Sequence, residues 1–408
     1  MTIEPGSAAG AKMLGKSVVA LRTGRDRGEN VARVLADMDN QIDWHRYRRV
    51  LIKPNFVSLD NQIAATHVDA VRALVAHVRK RFQGEVWLIE GGAGHARLQG
   101  FRNFGYEQLA REFSVTLQEI GEAGAVCQDA FDHNWQPIQV MADNRMVNSE
   151  FLISITPPKF HDTVIFTASL KNVIMGSLLI EHLNAYRKGR RSFRRFKHWS
   201  RQVWDTWWPR IGQVLPQRLR CADWFIDFDF FMLRTFSEGD NRMRMHQSFP
   251  VMNLNLYLLA RQIHPHLAII DGHEVMCGDG PLEGQSATMH FALAGIDYVA
   301  VDATAARIMG IEPTNVGYLW YCAESGLGRM KETEIELVGS TSIESHAQQL
   351  PRHTTYDQQL KWRTAVALEV FTRLQTQLQT ALQHRTGTLP DGVCLHRADY
   401  HSVEAFHD

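Results

Sequence analysis

Between Lys159 and Asn172 the chain sets Lys159, His161, Thr163, Lys171 and Asn172 within 14 residues: two ammonium groups, an imidazole, a hydroxyl and a carboxamide. That mixture can hold a carboxylate or phosphate and move a proton beside it, with His161 as the base and the lysines neutralising the anion. The plainer alternative is a solvated loop around one polar network. The position just past the apolar run at 151–155 favours a site, because parallel sheets keep their ligand contacts at strand C-termini. A second group, Lys53, Asn55, Thr66 and His67, stands in the same relation to the run at 50–52. A lysine directly after a buried strand is unusual unless its charge is used, whereas Thr66 serves equally well as the cap of the next helix.

Other candidates have less pattern behind them. Gly91, Gly92 and Gly94 permit close backbone approach, yet neither GxGxxG nor GxxxxGK[ST] is present, so a nucleotide-phosphate cradle is not indicated. His95 follows on the same loop. His182 and His246 flank a stretch of different composition and could bind a metal with Asp271, Glu274 or Asp279. Against this stands the commoner fate of a histidine, hydrogen-bonded in a core. Gly278-Asp279-Gly280-Pro281 is a turn shaping a pocket wall, and Asp302, just inside a helix start, complements the helix dipole.

The elements that must position these residues follow a βαβ rhythm. Strands are expected at 18–22, 50–52, 86–89, 151–155, 267–270 and 288–293, and helices at 29–38, 68–82, 106–113, 252–262, 300–309 and 356–384. The fold class is therefore α/β, mostly parallel, as two packed lobes over 16–150 and 151–345. A helical insertion at 186–245 and a C-terminal helix and tail at 346–408 complete the chain. With 408 residues, 45% of them hydrophobic and 22% charged, a small stapled fold and a long disordered chain are both excluded.

Lys plus Arg and Asp plus Glu balance at 44 each, so no bulk field draws polyanions and any electrostatic function is local. The local exception is the insertion, where 187–220 carries 11 Lys or Arg against one acid and 199–224 holds five of the ten tryptophans. Such a segment suits an anionic membrane surface, an active-site lid or a subunit contact. No sequence-specific nucleic-acid module is present. The five cysteines are too scattered for a local iron–sulfur motif. Neither a signal-peptide core nor a membrane-spanning run occurs, which predicts a cytoplasmic protein, peripheral at the membrane if the insertion is its working surface.

The strings LIKPNFVS, ATHVDAVRALV, PPKFHDTVIFTASLKNVIMG, IIDGHEVMCGDGPLEG, DYVAVDATAARIMG and ESGLGR, in this order, resemble the DUF362 family over about 18–330. That family is named for unknown function, and many members carry ferredoxin-type clusters whose cysteines this chain lacks. The succession His161, nine residues, Lys171, Gly176 and His182 is similar to a segment of lactate racemase and its relatives. This second resemblance implies Lys171 as tether of a nickel pincer nucleotide, His182 as a nickel ligand and His95 as a base opposite His161. Where the racemase has its Asp and Arg substrate motif, this chain has Lys53-Pro54-Asn55.

The expected function is an enzyme binding a small anionic metabolite in a Lys/His-lined cleft, with acid/base or hydride-shift chemistry of isomerase, racemase or oxidoreductase type. The catalytic residues expected are His161, Lys171 and His95, the substrate contacts Lys53, Asn55, Thr66, His67, Lys159, Thr163 and Asn172, and the metal ligands His182, His246, Asp271 and Asp279. The alternatives are a peripheral membrane or assembly protein working through the insertion, as a homo-oligomer or on a membrane, and a redox accessory protein without its own cluster.

Overall fold

A computed structural model gives the fold and describes residues 15–91, 98–180, 215–236, 240–339 and 342–383. Expectations for His95, His182, the basic run at 187–197 and the tail beyond 383 lie outside the described residues.

The strands are β1 (Ser17–Thr23), β2 (Arg49–Lys53), β3 (Glu85–Glu90), β4 (Thr116–Glu119), β5 (Ala125–Phe131), β6 (Pro137–Asp143), β7 (Leu152–Thr156), β8 (Lys159–His161), β9 (Ile165–Thr167), β10 (Leu267–Cys277), β11 (Gln285–Gly295) and β12 (Ile335–Val338). Among the described residues one sheet runs in the order β12-β1-β11-β10-β7-β2-β3-β4, with β8 and β9 as a side hairpin on β10, and β5 and β6 form a separate ribbon. The pairs from β10 through β7, β2 and β3 to β4 are parallel, while β11 is antiparallel to both β1 and β10. The α/β class with a largely parallel sheet is thus the observed one. The two lobes expected from the sequence share this sheet, since β7 and β10 pair on from β2 and β1 lies between β11 and β12.

Every residue of β7, Leu-Ile-Ser-Ile-Thr, is buried, as a strand covered on both faces requires. Alternation in β2 divides the core. Val50 and Ile52 face one apolar cluster with Val31, Leu35, Val71, Leu74 and Leu109 of the helices α1 (Arg27–Asp37), α2 (Val68–Arg79) and α3 (Tyr106–Phe113). Leu51 faces another cluster, built from α4 (Ser169–Ser177), α6 (Phe249–Ala260), α7 (Tyr298–Ile308), α8 (Gly317–Glu324) and α9 (Ala365–Gln383). The result is a helix–sheet–helix sandwich. The remaining helix of note, α5 (Asp223–Phe236), belongs to the insertion.

Helix α6 is apolar all round, as a helix wrapped by protein must be. Its two buried polar residues are consumed by backbone: Asn253 Oδ1 accepts from Tyr318 N at 2.9 Å, and Asn255 bonds both N and O of Phe131 at 2.8 Å. The long helix expected at 356–384 is broken. Its first part ends in a 3-10 turn at Leu360–Trp362, where the Trp362 indole is buried on the Asn315 carbonyl, and Thr364 Oγ1 then accepts from Ala367 N to cap α9.

In strand order, the chain passes from β2 outward to β3 and β4 on one side, and later through β7 to β10 on the other. The reversal lies between β2 and β7, and sheets of this kind bind ligands at the C-terminal ends of the strands that flank it. Lys53 sits at that point, in register with Ser154.

Candidate active site

Lys53 is almost wholly buried, and its Nζ lies 2.7 Å from Glu90 Oε2 at the end of β3 while donating to the Pro54 carbonyl at 2.8 Å. Glu90 is itself fixed by backbone, accepting from Phe56 N and Gly91 N at 2.6 Å. The ammonium passes directly under α4: a Cβ on Gly176 would stand 2.3 Å from Lys53 Cε, so the missing side chain is what admits the lysine.

Asn172 joins the two strand ends. Its Nδ2 donates to Lys53 O at 3.2 Å and Ser154 Oγ at 3.1 Å, and its Oδ1 accepts from Asn55 Nδ2 at 2.9 Å. Asn55 Oδ1 in turn accepts from Lys159 Nζ at 2.5 Å, and that ammonium also donates to the Ala64 carbonyl at 2.8 Å. Burial and the charge of Lys171 push Lys159 down to about 7, and burial likewise lowers Lys53, with Glu90 working against it.

The next residue on α4, Lys171, places Nζ 2.8 Å from His161 Nε2. Burial lowers Lys171 to about 8, with the Asp162 carboxylate opposing, and burial together with the Lys171 charge lowers His161 to about 3, so the imidazole is neutral near pH 7. His161 Nδ1 has two contacts, Asp162 Oδ1 at 2.8 Å and Thr163 N at 3.1 Å. The first requires a proton on Nδ1 and the second a lone pair, so the surroundings support both tautomers, as a ring that passes protons through needs. His246 stacks on this ring with centroids 6.2 Å apart, its own Nδ1 held by the Arg242 carbonyl.

Two features hold the lysine-bearing segments in place. His161 and Lys159 lie on the hairpin of β8 and β9, which the sequence reading treats as loop. Gly280 packs so closely on it that a Cβ would meet the Phe160 carbonyl at 2.3 Å, which fixes the 278–281 turn against the hairpin. Asp302, inside α7, complements the dipole of another helix than its own: its carboxylate accepts from Ser169 N at 2.9 Å and Leu170 N at 3.0 Å, the first residues of α4. Burial raises Asp302 to about 7.

Of the expected contacts, Lys53, Asn55, Lys159, His161, Lys171 and Asn172 come together, and Thr163 adjoins them, its Oγ1 on Asp162. Thr66 caps no helix. Its Oγ1 accepts from Asn55 N at 2.8 Å and donates to the Ile155 carbonyl at 2.9 Å, bracing the β2 and β7 ends, while His67 is the N-cap of α2. Asp271, on β10, pairs with Arg27 of α1 at 3.2 Å, and Asp279 accepts from Thr354 N at 2.8 Å beside Arg220. The expected metal set of His246, Asp271 and Asp279 is therefore spent on separate partners. Glu90 and Asp162 are missing from the sequence reading, and Gly176 enters it only through the racemase-like succession. Glu90 had a signal, an acid ending the apolar run at 86–89 just as Lys53 ends its own, whereas the glycine's role becomes visible only when α4 lies on Lys53.

A shallow hollow of about 930 Å³ lies far from this network, at the starts of β2, β3 and β4, lined by Arg48, Arg49, Arg79, Glu85 and Trp87. Its guanidinium groups are engaged, Arg49 with Glu85 and Arg79 with three backbone carbonyls.

The family model for DUF362, a domain of unknown function, matches residues 50–307. The chain belongs to the DUF362 family. No curated protein matches it. Solved structures that do include the lactate racemase apoprotein from Thermoanaerobacterium thermosaccharolyticum, at 9% identity and a TM-score of 0.37, the match covering 69% of this chain and 54% of that one.

The described residues around Lys171 do not make a fit for a nickel pincer nucleotide. Among the described residues no three His, Cys, Asp or Glu side chains are grouped to hold a metal ion. The ammonium groups around Lys171 instead favour an anion over a cation.

Proposed function

We propose that this DUF362 protein is an enzyme that holds a small organic acid or phosphorylated metabolite on its lysine cluster and moves a proton or hydride at the adjacent carbon, the chemistry of an isomerase or racemase. The observation that carries this reading is the convergence of Lys53, Lys159 and Lys171 with His161 in one buried network at the β2/β7 reversal, where Glu90 is the one carboxylate in direct contact with these ammonium groups among the described residues. Buried cations in such excess lower the energy of an anion and of the negative charge that develops when a neighbouring C–H bond breaks. Lys159 and Lys53 act as the anion holders. His161, neutral and in contact with Lys171, is the proton-transfer group, with Asp162 orienting it.

Incubation of the full chain in deuterium oxide with a panel of 2-hydroxy acids and sugar phosphates tests this. Inversion at C2 with solvent deuterium supports proton transfer, and inversion that retains the original hydrogen supports a hydride shift. Both are lost in His161→Ala and Lys171→Ala. Absence of turnover across the panel, or turnover unchanged in these variants, would overturn the reading.

A second reading rests on α5. Trp224, Phe228 and Phe231 are 63%, 41% and 54% exposed and fall on one helical stripe, next in sequence to the basic run. Such a stripe suits the interfacial zone of an anionic bilayer, and no helix among the described residues is long and apolar enough to cross one. Sedimentation with anionic vesicles, with and without residues 187–233, separates the readings.

A further inference from the structure

We propose that Lys171 is a nucleophile that forms an imine with the carbonyl carbon of a 2-oxo acid, an inference that rests on the anion-holding reading of the same site. Asp162 Oδ1, His161 and Lys171 Nζ stand in series, with 2.8 Å at each contact. This is the arrangement of orienting group, base and nucleophile that activates a side chain for covalent catalysis. The other two lysines are poorly suited. Lys53 is held by Glu90 and the Pro54 carbonyl, and Lys159 by Asn55 and the Ala64 carbonyl, so each has two of its three N–H groups on oxygen acceptors and is fixed in place. Lys171 meets an imidazole nitrogen instead, and it is 7% exposed where the others are 1% exposed. With its amine lowered to about 8 by burial, roughly a tenth of Lys171 is neutral at pH 7.

The step balances without a further reactant. The Lys171 ammonium first gives a proton to His161 Nε2; the freed Nζ lone pair attacks the carbonyl carbon, the carbonyl π pair moves to oxygen, and a proton moves from nitrogen to that oxygen to give a carbinolamine. His161 then delivers a proton to the hydroxyl, which leaves as water while nitrogen closes the C=N bond. The Lys159 ammonium, near enough for the Lys171 charge to lower it, holds the carboxylate of the oxo acid. The resulting iminium withdraws electrons from the neighbouring carbon and so acidifies its C–H bond, which the neutral imidazole can accept.

The test is reductive trapping on the full chain, with pyruvate and sodium cyanoborohydride, followed by intact mass and peptide mapping. One adduct on Lys171, of the mass of the oxo acid less one oxygen, is expected, falling at least tenfold in His161→Ala and absent in Lys171→Arg. No adduct, or labelling that favours exposed lysines such as Lys361, overturns the imine. Because the site of labelling is read on the unmodified chain, a variant that fails to fold does not blunt the result. Deuterium transfer to a 2-hydroxy acid without trapping removes the imine and leaves the proposed function standing. Trapping on Lys171 without such transfer supports the imine and removes the hydroxy-acid form of that function.

Discussion

At the scale of single residues, the site is a set of cations placed where water cannot stabilise them. Lys159 is held at about 7 against an ordinary 10.5, so between those values the folded chain binds fewer protons than the unfolded one. Stability contributed by this residue therefore rises with pH across that window, the cost of the buried charge being fully present below it. Urea midpoints measured from pH 7 to 10 are expected to climb more steeply for the native chain than for Lys159→Met, and equal slopes would show that Lys159 carries no such cost. Glu90 is the counterpart. Glu90→Gln leaves Lys53 without its carboxylate and is expected to cost about 3–5 kcal/mol, the usual result of stranding one member of a buried pair. Equilibrium unfolding reads this directly, and a loss below about 1 kcal/mol would mean the pair contributes little.

Lys53 was legible as a member of this cluster because a lysine directly after a buried strand has few other uses. Thr66 was not, since a threonine before a helix is consistent with a cap and nothing in the local pattern says that Ile155, 89 positions away, takes its hydroxyl proton. His161 was legible as a member of the cluster, but its tautomer was not, since that depends on Asp162 and on the backbone of Thr163.

Among the elements, α4 carries the site and Asp302 anchors its first turn. Removing that carboxylate with Asp302→Ala strands two buried N–H groups and is expected to cost about 1–3 kcal/mol, whereas Asp302→Asn keeps an acceptor and costs less. The two variants also differ from the native chain in pH response. A carboxyl raised to about 7 binds a proton that the unfolded chain has already released, so its contribution to stability is present at low pH and lost as pH rises through 7. Unfolding followed from pH 5 to 8 is expected to show this decline in the native chain and not in Asp302→Asn. On α5, Trp224→Ala and Phe231→Ala are expected to leave the unfolding midpoint nearly unchanged, as exposed positions do, while vesicle sedimentation falls if the helix is a membrane surface. The periodic helices and apolar strands could be read from sequence within a few residues. The hairpin of β8 and β9 could not, because it is only three residues a side and every one of them is buried, leaving no alternation to see.

For the whole molecule, the sheet does what no local pattern announces: it brings the ends of β2, β3 and β7 and the start of α4 to one edge by reversing strand order between β2 and β7. The βαβ rhythm predicted the sheet, but the sharing of one sheet by both halves of the chain depends on long-range pairing, β1 with β11 and β12 above all. The measurement that bears most directly on this edge is calorimetric titration of the full chain with oxalate, which stays dianionic from pH 6.5 to 9. Binding is expected to weaken steadily over that interval, as the ammonium groups of Lys159 and Lys171, lowered to about 7 and about 8, lose their protons, and to be at least tenfold weaker at pH 6.5 in Lys159→Met and in Lys171→Met. Oxalate binding that is indifferent to pH, or that survives unchanged in both variants, would contradict a shared anion site at the strand ends.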